Sequence, residues 1–146
     1  MWRDLERLSA GRGIPFAKPS RFPRSGLLAA RIACLAREAS EDWLPDFARA
    51  VYWANFAEDR EIGDSAVVRS ILDSLGQSGA RIVERARAPG IKALLRERTR
   101  RTVELGIFGA PSFIADDELF WGNDRLEDAL VWANSRVTGE GSGSGR

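Results

Sequence analysis

The chain contains no histidine, so Ser-His and Cys-His activation of a nucleophile and His-ligated metal sites are closed to it, and no metal is expected. Its single cysteine, Cys34, excludes an internal disulfide and the C-x-x-C pair of a dithiol oxidoreductase, and points to a reducing compartment. Charge of one sign is missing too. The 22 basic and 21 acidic side chains leave a formal net charge of +1, which gathers neither nucleic acid nor anionic lipid. A small neutral or zwitterionic partner fits this balance better than a polyanion. No run approaches the roughly 18 uninterrupted apolar residues of a membrane span. Met1 leads into Trp2-Arg3-Asp4 rather than a signal-peptide pattern, so a cytoplasmic location is expected.

What is present suffices for one domain with a real core, since 44% of the 146 residues are hydrophobic. Trp2, Leu5 and Leu8 recur at helical spacing before Gly11, which predicts a short helix over residues 2–10. Ile14 to Arg24 holds Pro15, Pro19 and Pro23 and reads as an ordered loop or extended segment. Ser25 is placed to cap a helix through Leu27, Leu28, Ile32 and Leu35, with Cys34 buried and inert among alanines. A further helix opens at Asp42 or its neighbour and runs through Phe47, Val51 and Phe56. Asp64-Ser65 opens another that ends at Gly76, a short one covers Ala80 to Ala86, and a long charged one runs from Ile91 to Leu105 before Gly106.

The pattern changes at Gly109-Ala110-Pro111. Ser112 to Ala115 and Glu118 to Trp121 are short apolar runs separated by Asp116-Asp117, which predicts a β-hairpin. A last helix follows from Asn123-Asp124 through Leu126, Leu130 and Trp132. Residues 139–146, rich in Gly and Ser, read as a flexible tail.

The stretch Gly106 to Leu126, with Gly-Ala-Pro-Ser-Phe, a hairpin and Phe-Trp-Gly-Asn-Asp-Arg-Leu, resembles the 2-hydroxychromene-2-carboxylate isomerases and, more loosely, the kappa-class glutathione transferases. Met1 to Arg7, Pro19 to Pro23 and Phe56 to Asp64 are similar to the same isomerases. The resemblance implies an α/β thioredoxin-like fold of DsbA/kappa type with a helical insertion. Members of that family begin with a strand and a Ser-Pro turn whose serine holds the glutathione sulfur. With no such segment ahead of Met1, the expectation is a fold without its N-terminal βαβ unit: mostly helical, ending in a hairpin and a helix. Residues 1–138 would form this partial domain, with the insertion over about 1–105 and the hairpin and helix over about 106–137.

The resemblance also implies a site. It makes Ala110-Pro111 a cis-proline turn whose backbone anchors the cysteinyl part of glutathione, whereas base rates favour a trans bond that merely starts a strand. Trp121, Gly122, Asn123 and Asp124 open the last helix, where backbone amides suit the γ-glutamyl carboxylate and the Asp124 carboxylate suits its ammonium. Spacing alone leaves Asn123 as an N-cap and Asp124 as a first-turn charge. Arg125 either assists or is simply solvated. Arg21 and Phe22 fall where the family places part of its aromatic-acid pocket, though a loop phenylalanine also serves as a core plug. Trp43, Tyr52 and Trp53 wall that pocket or pack in the core.

The implied activity is glutathione-dependent isomerisation. A thiolate adds to 2-hydroxychromene-2-carboxylate, the ring opens, a bond rotates, and elimination gives trans-o-hydroxybenzylidenepyruvate. No catalytic residue is assigned, because the nucleophile-holding serine is not in this sequence. Kappa-type glutathione transfer or peroxide reduction and a non-catalytic binding or assembly module stay open as alternatives. A homodimer is expected through the strand Ser112 to Ala115, whose second neighbour in a thioredoxin sheet would be the first strand of the fold.

Overall fold

The computed structural model describes residues 1–139, and the tail residues 140–146 lie outside the described residues. Among the described residues there are seven α-helices, one two-stranded antiparallel sheet and one 3-10 turn, so the expected mostly helical chain with a C-terminal hairpin is what is found. Two compact units divide the chain within the sixth helix, at Arg96/Glu97.

The first unit holds α1 (Trp2–Gly11), α2 (Leu27–Glu38), α3 (Leu44–Phe56), α4 (Ser65–Ser74), α5 (Gly79–Ala86) and the start of α6 (Pro89–Glu104). Its core is where the apolar stripes of α2 to α5 meet: Ile32 and Ala36, Phe47 and Ala54, Val68 and Leu72, Ile82 and Val83. Phe47, Ile32, Leu72 and Val68 are the largest fully buried side chains, each contributing about 1.5–3 kcal/mol by leaving water. Asp64 caps α4 as expected, its Oδ1 accepting the Ala66 N–H at 2.8 Å. Cys34 is buried, in keeping with a structural role.

One helix start differs from expectation. Gly26, not Ser25, occupies the cap position of α2, and the Leu27 N–H reaches Ser25 Oγ only at 3.5 Å, too long for a strong cap bond. Trp43, the neighbour of Asp42, precedes α3; its ring is buried and its Nε1 donates to Glu41 Oε2 at 3.1 Å, so packing sets that boundary. The proline-rich loop is anchored by rings. Phe22 meets Trp2 edge-on with centroids 4.8 Å apart, Trp2 lies 6.3 Å from Phe16, and Phe16 stacks on Phe56 at 6.3 Å.

The second unit begins within α6 and holds β1 (Ser112–Ala115), β2 (Glu118–Trp121), a 3-10 turn (Asn123–Arg125) and α7 (Leu126–Gly139). The hairpin register pairs Ser112 with Trp121, Phe113 with Phe120, Ile114 with Leu119 and Ala115 with Glu118. Asp116 enters the turn at φ 54°, a left-handed conformation that aspartate tolerates. α7 lies against β1, and Ala115 and Ala129 are buried. Gly139, expected in the tail, closes α7 instead. None of the described helices is long and apolar enough to cross a membrane.

Candidate functional site

In the second unit, the hairpin gathers the two halves of the expected site. The Pro111 carbonyl accepts the Gly122 N–H at 3.0 Å, which sets the Ala110-Pro111 turn beside the entry to α7. The Ala110–Pro111 peptide bond is cis, and both residues are exposed. Among the described residues, no backbone group bonds to the Ala110 N–H or carbonyl.

Two close approaches shape this end of the hairpin. A Cβ on Gly109 would come within 2.5 Å of Trp121 Nε1, so the indole packs against bare backbone, and Phe108 flanks it at 5.1 Å. Gly122 adopts φ 114°, and a Cβ there would stand 2.5 Å from Asp124 Oδ1. The Asp124 carboxylate therefore folds back over Gly122.

The entry to α7 corrects the expectation for Asn123 and Asp124. They do not open the α-helix itself but lie in the 3-10 turn, closed by the Arg125 N–H on the Gly122 carbonyl at 3.1 Å. Gly122 holds the cap position of that turn. Arg125 is committed within this unit: its Nη1 meets Asp128 Oδ2 at 2.9 Å. That hydrogen bond, then the charges of Asp128 and Asp124, raise the pKa of its guanidinium.

In the first unit, Arg21 is exposed, and its guanidinium stands 3.7 Å from Glu61. Phe22 is half-exposed rather than a core plug, resting on Trp2. Of the aromatics expected to wall the pocket or pack in the core, Trp43 packs in the core; Tyr52 and Trp53 are exposed and border a surface cavity of about 490 Å³ with Phe16 and Phe56.

Sequence reasoning missed the residue that organises this loop. The Arg24 side chain is 3% exposed and pairs with Asp59. It also donates to Ser20 Oγ at 3.3 Å, to the Asp59 carbonyl at 3.2 Å, and to Asn55 Oδ1 at 3.1 Å. Asp59, at φ 53°, accepts the Ser20 N–H at 2.9 Å. The Ser20 backbone bond first, then Arg24 and the Ser20 hydroxyl, lower the Asp59 pKa to about 2. The only signal was an arginine between Pro23 and a helix start, which local rules do not flag. Among the described residues, no group of three or more His, Cys, Asp or Glu side chains could hold a metal ion.

Comparison with known proteins gives this geometry its context. A 2-hydroxychromene-2-carboxylate isomerase of Sphingobium xenophagum is 28% identical over 127 residues, covering 87% of this chain and 63% of that protein. This chain thus spans less than two thirds of the relative's length. A solved structure of 2-hydroxychromene-2-carboxylate isomerase superposes with a TM-score of 0.75 at 22% identity, over 95% of this chain and 66% of that one, which establishes the fold. The DsbA-like thioredoxin domain profile matches residues 1–130. The chain therefore belongs to the DsbA-like thioredoxin domain family.

Proposed function

We propose that this chain binds glutathione and serves the isomerisation of small aromatic carboxylates of the 2-hydroxychromene-2-carboxylate type. The observation that carries the reading is the Pro111–Gly122 hydrogen bond, which joins Ala110-Pro111 to Gly122-Asn123-Asp124 in a chain similar to such an isomerase. The residues suit the tripeptide. Ala110 offers an exposed backbone, with no backbone partner among the described residues, to an extended peptide. The bare backbone at Gly122 admits the Asp124 carboxylate, and the turn amides at Asn123 and Asp124 suit a ligand carboxylate. The Asp124 carboxylate suits the ammonium, and Trp121 supplies a neighbouring apolar face. Arg125, already held by Asp128, contributes only its positive field. When bound, glutathione supplies the thiol nucleophile that a chain without histidine or paired cysteines lacks.

Arg21 and Phe22 take the substrate side in this reading, a guanidinium for the carboxylate and a ring for the aromatic body. The division into an insertion over about 1–105 and a hairpin and helix over about 106–137 belongs to the same reading, as do a homodimer and a cytoplasmic location. The test is titration calorimetry with glutathione, together with absorbance of 2-hydroxychromene-2-carboxylate with and without the thiol. Binding is expected to be weak. Asp124→Ala should weaken it about tenfold or more, since a charge-assisted contact contributes about 1.5–3 kcal/mol. Unchanged affinity returns Asp124 to a purely structural place and refutes the site. Turnover of a generic electrophile or a peroxide instead of the chromene reassigns the chain to kappa-type transfer or peroxidase chemistry, and glutathione binding without turnover reassigns it to a binding role.

A further inference from the structure

A slot of about 260 Å³ lies between α2 and α3, within the first unit. One wall is the small-residue face of α2, including Ala30 and Ala33; the other carries Tyr52 and Phe56, whose rings are 15° from parallel, and Ile62 closes an end. Among the described residues no charged side chain lines it. Such walls suit a flat apolar body and exclude an ion.

One polar group interrupts this lining. Asn55 is 5% exposed, and buried carboxamides are ordinarily satisfied. Its Oδ1 accepts from Arg24 Nη1 at 3.1 Å, and its backbone carbonyl accepts from the same nitrogen at 3.4 Å. Guanidinium only donates, so the carboxamide cannot be turned the other way round. The Nδ2 group is thereby fixed as the donor; among the described residues nothing accepts from it, and it keeps contact with solvent. An apolar slot holding one oriented, unpartnered donor is a site that selects an acceptor.

We infer that this slot binds a flat aromatic molecule carrying one carbonyl or ether oxygen, which accepts from Asn55 Nδ2 while its rings lie between the α2 alanines and Tyr52. This inference stands on the first unit alone and does not rest on glutathione binding. A nitrogen–proton correlation NMR titration of the whole chain tests it with 2-acetylnaphthalene and, as the partner without an acceptor, 2-ethylnaphthalene. The acetyl compound should shift the Asn55 carboxamide pair and the Ala30 and Ala33 amides, and bind about fivefold to tenfold more tightly than the ethyl compound, the worth of one neutral hydrogen bond. Asn55→Asp keeps an acceptor for Arg24 but removes the donor, so that preference should vanish. Ala33→Leu places a larger side chain in the slot and should abolish binding of both compounds without changing the far-ultraviolet circular dichroism. The inference is overturned if the acetyl compound shifts none of these signals up to its solubility, if the two compounds bind wild type equally, or if Ala33→Leu leaves binding intact.

Discussion

Replacing Arg24 with methionine removes a buried guanidinium while keeping much of its apolar stem, so the packing loss is small and the polar loss can be read separately. The wild-type side chain holds the Asp59 carboxylate, Ser20 Oγ, the Asp59 carbonyl and Asn55 Oδ1 together. Hydrogen bonds to a charged group contribute about 1.5–3 kcal/mol, and stranding a buried acceptor such as Asn55 Oδ1 costs about 1–3 kcal/mol. These losses share partners and do not add, so Arg24→Met should cost about 3 kcal/mol in urea unfolding. The midpoint of thermal unfolding should fall by about 10 °C. A pH series separates the ion pair from the rest. The Asp59 pKa is lowered from 3.8 to about 2 in the folded chain, so its stabilisation is complete above about 3.8 and is lost as pH falls toward 2. The deficit of Arg24→Met should therefore shrink across that window, and in an Asp59→Asn background it should be smaller and flat with pH. A loss below about 1 kcal/mol, or a deficit unchanged down to pH 2, would refute the role assigned to Arg24.

Gly122→Ala places a Cβ against Asp124 Oδ1 at φ 114°, and should cost about 1–3 kcal/mol and alter the near-ultraviolet signal of Trp121; an unchanged spectrum at full stability contradicts the geometry. Asp64→Ala removes the α4 cap bond and should cost about 1 kcal/mol in urea unfolding, with no change in the slope. In the hairpin, the Pro111–Gly122 bond and the period of two place the Phe113 amide toward β2 and the Ile114 amide on the opposite edge. Phe113 should then exchange more slowly than Ile114, and light scattering should detect self-association that protects Ile114; a monomer with Ile114 strongly protected would mean that another segment covers the edge.

The readings that succeeded rest on short-range rules. Asp64 before an apolar run is a cap whatever the rest of the chain does, and Asp116-Asp117 between two four-residue apolar runs sets the hairpin and its register. The Gly-Ala-Pro and Trp-Gly-Asn-Asp segments were legible as a pair only through resemblance, since nothing in their spacing requires the Pro111–Gly122 bond. The failures have one physical origin, competition between a local rule and packing. Ser25 satisfies the rule for a cap, yet the backbone turns at Gly26. For Tyr52 and Trp53 a pocket wall and core packing both stood open, and packing decides: Phe47, Val51 and Ala54 take the core while these two rings border a surface cavity.

Arg24 shows why a charged centre escapes such rules and why it governs more than stability. Its partners Asn55 and Asp59 lie 31 and 35 residues away, so no window on the sequence contains them. An arginine next to Arg21 in a proline-rich loop looks like one more solvated charge. Its side chain instead turns inward, and one guanidinium then fixes two things. Through Ser20 and Asp59 it holds the loop that presents Arg21 and Phe22; through Asn55 it orients a carboxamide in the lining of the slot between α2 and α3. Arg24→Lys keeps the charge but loses the planar fork, and an ammonium cannot serve Asp59 and Asn55 in the same geometry. The lysine variant should thus recover part of the stability lost in Arg24→Met while leaving the Asn55 carboxamide free to rotate. Stability and the preference for an acceptor-bearing aromatic should part company in that one variant, which a purely structural role for Arg24 would not produce.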